Sequence, residues 1–166
     1  MKLDIKPYKQ STHFCAPACV KMVLNYYGER ISEKRLADLI NASRENGCPA
    51  RPIVSAVRKL GFNAYSFDNN YLKDLEHLLK MGIPPIVNWC MDPEEDHVEI
   101  EDGDGGHYSV LSRITKRDIT LIDPLIGGPR EMGRREFYKK WYDFYGKRLR
   151  SDEANKISKR MIAIYP

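Results

Sequence analysis

The chain has no apolar run approaching the roughly 20 residues that a membrane-spanning helix needs. Its first residues, MKLDIKPYKQ, are charged and polar and lack the apolar stretch of a secretory signal. It also has no CxxC pair, and four cysteines in 166 residues are too few for a disulfide scaffold. These absences predict a cytoplasmic protein with reduced thiols and without a membrane partner.

Nothing in the sequence marks a division into parts, because it contains neither an internal repeat nor a low-complexity tract. A length of 166 residues is near the usual size of one domain. The contents of 42% hydrophobic and 30% charged residues are ordinary for a globular protein. We therefore expect a single domain that spans residues 1–166.

Charge is distributed unevenly along the chain. Residues 92–104 hold eight acidic residues and no Lys or Arg, whereas residues 130–150 are rich in Lys and Arg. The basic stretch carries aromatic residues at helical spacing, so we interpret it as a solvated helix face and expect no nucleic-acid partner. The acidic stretch around His97 lacks the regular ligand spacing of an EF-hand loop, so we interpret it as a solvated loop and not as a calcium site. Such a loop could gate a cleft.

Apolar periodicity predicts helices mainly in the first half of the chain and strands in the second half. The predicted helices are 15–28, 32–42, 52–61, 71–82 and 133–146. The predicted strands are 63–67, 83–90, 107–114, 117–123 and 160–165. Helices followed by strands indicate an α+β fold of two lobes, with a helical N-terminal half and an antiparallel β-sheet in the C-terminal half.

Cys15 stands at the start of the first predicted helix, and Pro17 lies in the first turn, where a missing amide hydrogen costs nothing. The free backbone N–H groups and the dipole of a helix N-terminus favour the thiolate, which is the nucleophilic form of cysteine. The same N–H groups can stabilise an oxyanion. Alone the signal is weak, because a cysteine at this position is more often a small buried hydrophobic residue.

A predicted hairpin supplies two more reactive side chains. If its turn centres near Thr115, residues whose numbers sum to about 230 lie opposite each other, and His107 and Asp123 meet that condition. Directly opposed residues share a sheet face, with Cβ atoms about 4.5 to 5.5 Å apart. A carboxylate at that distance would fix the tautomer of a histidine base. A catalytic triad needs such an orienting group beside its nucleophile and base.

Two segments resemble a known family. KPYKQSTHFCAPACVKMVLNYYG and GGHYSVLSRITKRDITLIDPLIGGPREMGRREFYKKWYD are similar to the two signatures of the C39-type and C39-like papain-like cysteine peptidases. The order of Gln, Cys-small-Pro-Ala, His-Tyr-Ser-Val, IDP and a helix with Phe and Trp is that of the family. The resemblance implies a papain-like fold, a peptide or protein substrate, and no metal or organic cofactor.

The resemblance also implies roles. Cys15 would attack a carbonyl carbon and form an acyl-thioester, His107 would take and return the proton, and Asp123 would orient the imidazole. Gln10 would donate its side-chain amide to the oxyanion hole, together with the backbone N–H of Cys15. The implied activity is that of a cysteine peptidase or a related amide hydrolase, and acyl transfer to an amine would use the same residues.

Two departures from the family pattern affect the oxyanion hole. Gln10 lies five residues before Cys15, where six are expected, and Ala16 occupies a position that usually holds Gly. The shorter spacing would move the amide, and Ala16 would restrict the backbone. These departures support an alternative in which the chain is a catalytically inactive C39-like domain that binds peptides.

Other candidate residues receive plainer interpretations. Cys19 follows Cys15 by one helical turn and is more readily a core residue than a resolving thiol. Cys48 and Cys90 have no partner pattern. His13 is a weak candidate for the base, because it is too close in sequence to Cys15 to reach the sulfur correctly.

Overall fold

The computed structural model describes residues 2–43, 48–91, 106–144 and 156–166, so the acidic stretch 92–104 lies outside the described residues. The helices are α1 (Cys15–Tyr26), α2 (Glu33–Ile40), α3 (Ala50–Lys59), α4 (Leu72–Lys80) and α5 (Arg134–Lys140). The strands are β1 (Asn63–Phe67), β2 (Ile86–Cys90), β3 (Gly106–Ile114), β4 (Asp118–Asp123), β5 (Gly128–Gly133), β6 (Tyr142–Phe144), β7 (Lys156–Ser158) and β8 (Met161–Tyr165). Four helices precede most of the strands, which confirms the predicted α+β class.

A six-stranded antiparallel sheet forms the second half of the fold, in the order β1-β8-β2-β3-β4-β5. Strand β1 comes from the helical half of the chain and pairs with β8 near the C-terminus. The strands β6 and β7 form a separate two-stranded sheet. The six-stranded sheet therefore joins both halves of the sequence, and β3 and β4 are neighbouring strands within it.

Helix α1 is apolar on most of its surface, which is typical of a helix in the interior of a protein. Eight of its residues are buried, and the helix packs against β3 and α2. Cys19 is fully buried, which confirms its interpretation as a core residue. The N-terminus of α1, where Cys15 lies, is consequently held at a fixed place above the sheet.

The predicted helix 133–146 is too long. Helix α5 ends at Lys140, and the following residues form β6, which pairs with β7. The Trp141 indole N–H donates to the carbonyl of Arg160 at 2.9 Å, and the Lys159 N–H donates to the carbonyl of Trp141 at 3.0 Å. These bonds to distant residues outweigh the weak local preference for continuing the helix.

Strand β5 was not predicted, because its first two residues, Gly128 and Pro129, are typical of turns. The strand lies at the edge of the sheet, where proline is tolerated since no ladder hydrogen bond is needed on the open side. Arg130 on β5 is therefore part of the sheet, and its assignment to a solvated helix face is wrong.

Candidate active site

His107 on β3 and Asp123 at the end of β4 lie on the same face of the sheet. Val110 pairs with Ile122, and this register, continued along the strands, sets Asp123 level with Ser109. The predicted direct opposition of His107 and Asp123 is therefore wrong, because the hairpin register differs by two residues. A shift of two residues preserves the face, so the two side chains are diagonal neighbours that remain within reach of each other.

The two side chains form a short, buried contact. His107 Nε2 lies 2.6 Å from Asp123 Oδ1, and the residues are 3% and 0% exposed. Cys15 lies beside the same imidazole, because its thiol contributes to the raised pKa of His107 after burial and the Asp123 hydrogen bond. Because Asp123 occupies Nε2, Nδ1 is the ring nitrogen that remains for a nucleophile.

A third group, Arg130, completes the surroundings of the carboxylate. Its Nε donates to Asp123 Oδ2 at 2.7 Å, and the Leu125 N–H donates to Asp123 Oδ1 at 2.9 Å. Burial alone would raise the pKa of Asp123, but the hydrogen bond and charge of His107, followed by these two donors, hold that pKa well below its ordinary value. Asp123 is thus kept as a carboxylate.

The electrostatics of His107 follow from the same contacts. Burial alone would lower the pKa of the imidazole, since a buried cation is poorly solvated. The hydrogen bonds to Asp123 and Cys15, together with the charges of both groups, nevertheless raise that pKa above its ordinary value. The site therefore favours an imidazolium next to the Asp123 carboxylate.

Trp89 closes the site from the side of β2. It pairs with His107 in the β2–β3 ladder, and the two rings meet edge to face with centroids 5.8 Å apart. Its indole N–H donates to Ser109 Oγ at 3.0 Å, and the residue is fully buried. Trp89 is therefore a core residue that packs against the imidazole of the His–Asp pair.

The segment before Cys15 forms a tight turn. The Gln10 N–H donates to the carbonyl of Pro124 at 2.8 Å, and the Phe14 N–H donates to the carbonyl of Ser11 at 3.1 Å. His13 adopts a left-handed conformation with φ of 63°. The Gln10 side-chain oxygen is buried and has no hydrogen-bond partner within the part of the chain that the structure describes.

Two residues of the site were not predicted from the sequence. Arg130 contacts Asp123 because β5 pairs with β4. The contact can therefore be predicted only when β5 is recognised as a strand. Glu33, predicted only as part of a helix start, is 5% exposed and binds Ser11 through both carboxylate oxygens. No local pattern in the sequence distinguishes this glutamate from a surface residue.

Within residues 2–43, 48–91, 106–144 and 156–166, no group of three or more His, Cys, Asp or Glu side chains is arranged to hold a metal ion. In the same residues no helix combines the length and apolar character needed to cross a membrane.

A cysteine at the start of a buried helix, next to a His–Asp pair on an antiparallel sheet, defines the class of papain-like cysteine peptidases. The match to known sequences is more specific. Residues 6–145 match the Peptidase C39 family, and the chain belongs to this family. The resemblance of its two signature segments is thereby confirmed.

Known relatives agree with this assignment. The chain is 30% identical over 135 residues to the lactococcin-G-processing and transport ATP-binding protein LagD of Lactococcus lactis subsp. lactis. That alignment covers 81% of this chain and 17% of the relative, so the chain spans only a small part of the relative's length.

Solved structures share the fold. The peptidase domain of Streptococcus ComA, a bifunctional ABC transporter of a quorum-sensing pathway, superposes with a TM-score of 0.70 at 22% identity, covering 98% of this chain and 99% of that domain. A double-glycine-motif protease from an AMS/PCAT transporter, solved in complex with its leader peptide, gives a TM-score of 0.68 at 18% identity, covering 99% and 94%. The papain-like fold expected from the sequence is therefore confirmed.

Proposed function

We propose that this chain is a cysteine peptidase in which Cys15 is the nucleophile, His107 the general base and Asp123 the group that orients the imidazole. The observation that carries the proposal is the 2.6 Å contact between His107 Nε2 and Asp123 Oδ1, combined with the position of Cys15 at the start of α1, near enough to affect the pKa of the same ring. These contacts supply the nucleophile, base and orienting group that acyl transfer requires. The domain that carries them spans residues 1–166.

The proposed reaction has two steps. In the first, His107 takes the proton of the Cys15 thiol, the sulfur attacks the peptide carbonyl carbon, the C–N bond breaks, and His107 gives that proton to the departing amine. In the second, His107 removes a proton from water, which attacks the thioester carbon and releases the acid and the free thiol. Asp123 stays ionised in both steps, since His107 and Arg130 hold its pKa low.

Oxyanion stabilisation is assigned to the backbone N–H of Cys15 and to the Gln10 side-chain amide. Gln10 is anchored by its N–H to Pro124, the residue after Asp123. This bond links the oxyanion segment to the strand that carries the orienting carboxylate. Gln10 lies only five residues before Cys15, and the tight turn at Ser11–Phe14 connects the two over this short distance. His13 adopts a left-handed conformation in this turn.

The proposed substrate is a peptide. LagD is a lactococcin-G-processing protein, and the AMS/PCAT enzyme is a double-glycine-motif protease whose structure contains the leader peptide. We therefore choose peptides with a Gly-Gly sequence as the first substrates to test. The peptide-binding alternative remains a distinct outcome, in which such a peptide binds and is not cut.

The test is cleavage of Gly-Gly leader peptides by the wild-type chain and by single Cys→Ala variants, followed by mass spectrometry. We expect Cys15→Ala to abolish cleavage while thermal unfolding stays close to that of wild type. Cys48→Ala and Cys90→Ala are the matched controls and should retain activity. Full cleavage by Cys15→Ala would exclude the mechanism, and binding without cleavage by wild type would favour the inactive domain.

A further inference from the structure

Glu33 is a buried carboxylate outside the proposed reaction. It is the first residue of α2 and is 5% exposed. Its Oε1 accepts the Ser11 N–H at 2.9 Å, and its Oε2 accepts the Ser11 hydroxyl at 2.5 Å. Both oxygens thus contact one residue, and that residue directly follows Gln10.

Helix formation does not require a buried charge at this position. Ser32 already caps α2, since its Oγ accepts the Arg35 N–H at 3.2 Å. Burying a carboxylate is costly unless hydrogen bonds compensate for the lost water. The compensation comes from the two Ser11 donors, and Glu33 in turn adds, after burial, to the raised pKa of Tyr8.

The segment that Glu33 holds is strained. His13 has φ of 63°, a conformation that non-glycine residues adopt only when their surroundings impose it. Ser11 accepts the Phe14 N–H that closes this turn, and the preceding Gln10 N–H is bound to Pro124. Glu33 therefore fixes the turn at Ser11, between the anchored backbone of Gln10 and the helix that starts at Cys15.

We propose that Glu33 is a positioning residue that holds the turn between Gln10 and Cys15 and thereby directs the Gln10 side-chain amide to the oxyanion. This inference rests on the proposed function of Cys15 and Gln10. It explains how a segment one residue shorter than the family spacing can deliver the amide. Glu33 acts through Ser11 and does not itself touch the reacting atoms.

Two probes separate positioning from nucleophile chemistry. A Gly-Gly peptide aldehyde binds reversibly: the Cys15 sulfur adds to the aldehyde carbon, and the aldehyde oxygen receives the proton from His107 and ends as the hydroxyl of a hemithioacetal. Its affinity depends on the groups around that oxygen. Iodoacetamide alkylates the thiolate by displacing iodide and forms no oxyanion. Comparing the aldehyde affinity with the iodoacetamide rate therefore separates a change in the oxyanion hole from a change in thiol reactivity.

We expect Glu33→Ala to weaken aldehyde binding at least tenfold and to change the iodoacetamide rate at Cys15 less than threefold. Glu33→Gln should rescue the affinity to within threefold of wild type, because the amide can still bond to the N–H and hydroxyl of Ser11. Ser32→Ala is the matched control: it destabilises the same helix end without touching Ser11, and should leave aldehyde binding unchanged. Ser11→Ala removes only one hydrogen bond and provides a milder variant if Glu33→Ala does not fold.

A double variant tests whether Glu33 acts through Gln10. Adding Glu33→Ala to Gln10→Ala should weaken aldehyde binding by no more than a further twofold, since the amide to be positioned is already gone. An aldehyde affinity within threefold of wild type in both Glu33→Ala and Ser11→Ala would overturn the positioning role of Glu33. It would leave the proposed function of Cys15 intact. A wild-type Cys15 that alkylates no faster than Cys90 would overturn the proposed function, and the inference with it.

Discussion

The carboxylate of Asp123 is shared between two partners on neighbouring strands. His107 on β3 takes one oxygen at 2.6 Å, and Arg130 on β5 takes the other at 2.7 Å. The guanidinium of Arg130 also lies 5.7 Å from the centre of the Trp89 ring. The residues of β2, β3, β4 and β5 on this sheet face thus form one connected group, in which Arg130 adds to the effect of His107 in keeping Asp123 ionised.

Removal of Arg130 tests this electrostatic role. In Arg130→Ala the buried carboxylate loses a cation, so its pKa rises, and the acid limb of the kcat/KM profile for peptide cleavage should move up by about one pH unit or more. Arg130→Lys keeps the charge but not the guanidinium geometry and should show a smaller shift. An unchanged acid limb in Arg130→Ala would show that Arg130 does not control the ionisation of Asp123.

At the scale of the elements, the β3–β4 hairpin shows what the sequence can predict. Alternation of side chains along strands correctly placed His107 and Asp123 on one face, because parity survives a shift of two residues. The register itself depends on a bulge between Leu111 and Arg113, which sequence alternation does not reveal. Contacts made by β5 and β6 were equally hidden, because those strands form only by pairing with distant parts of the chain.

Gly106 begins β3 directly before His107, at a point of close approach. A Cβ built there would lie 2.5 Å from Asp143 Oδ1, and Asp143 is itself held by the Asn88 side-chain amide at 3.0 Å. We expect Gly106→Ala to lower the free energy of unfolding by about 1 to 3 kcal/mol, the usual cost of overpacking. The same change in an Asp143→Ala background should cost at least about 1 kcal/mol less, as measured by urea unfolding. Equal costs in both backgrounds would mean that Asp143 does not restrict this position.

At the scale of the whole molecule, the ionic state of the site is linked to folding. The folded-state pKa of Asp123 is lowered, so its contribution to stability is present above about pH 4 and is lost as the pH falls through the lowered value. The folded-state pKa of His107 is raised, so its contribution is fully present below about pH 6.5 and is lost as the pH rises through the raised value. The pair therefore stabilises the protein most between these limits.

The stability difference between wild type and Asp123→Asn should follow this window. We expect the largest difference, about 2 to 3 kcal/mol, between about pH 4 and 6.5, with a decline on both sides, because the variant lacks the carboxylate that both shifts require. Chemical denaturation at a series of pH values measures it directly. A difference that does not vary with pH would contradict the linkage of His107 and Asp123.

Detection of an acyl-thioester on Cys15 would show directly that this residue is the nucleophile. The chain is mixed with a Gly-Gly peptide ester, quenched with acid within one turnover, and digested, and the tryptic peptide 10–21 is sequenced by mass spectrometry. We expect the added mass of the acyl group on Cys15 in wild type and its loss in His107→Ala, since the thiol then lacks its base. Acylation of Cys19 in place of Cys15, or an equal yield in His107→Ala, would show that Cys15 is not a nucleophile activated by His107.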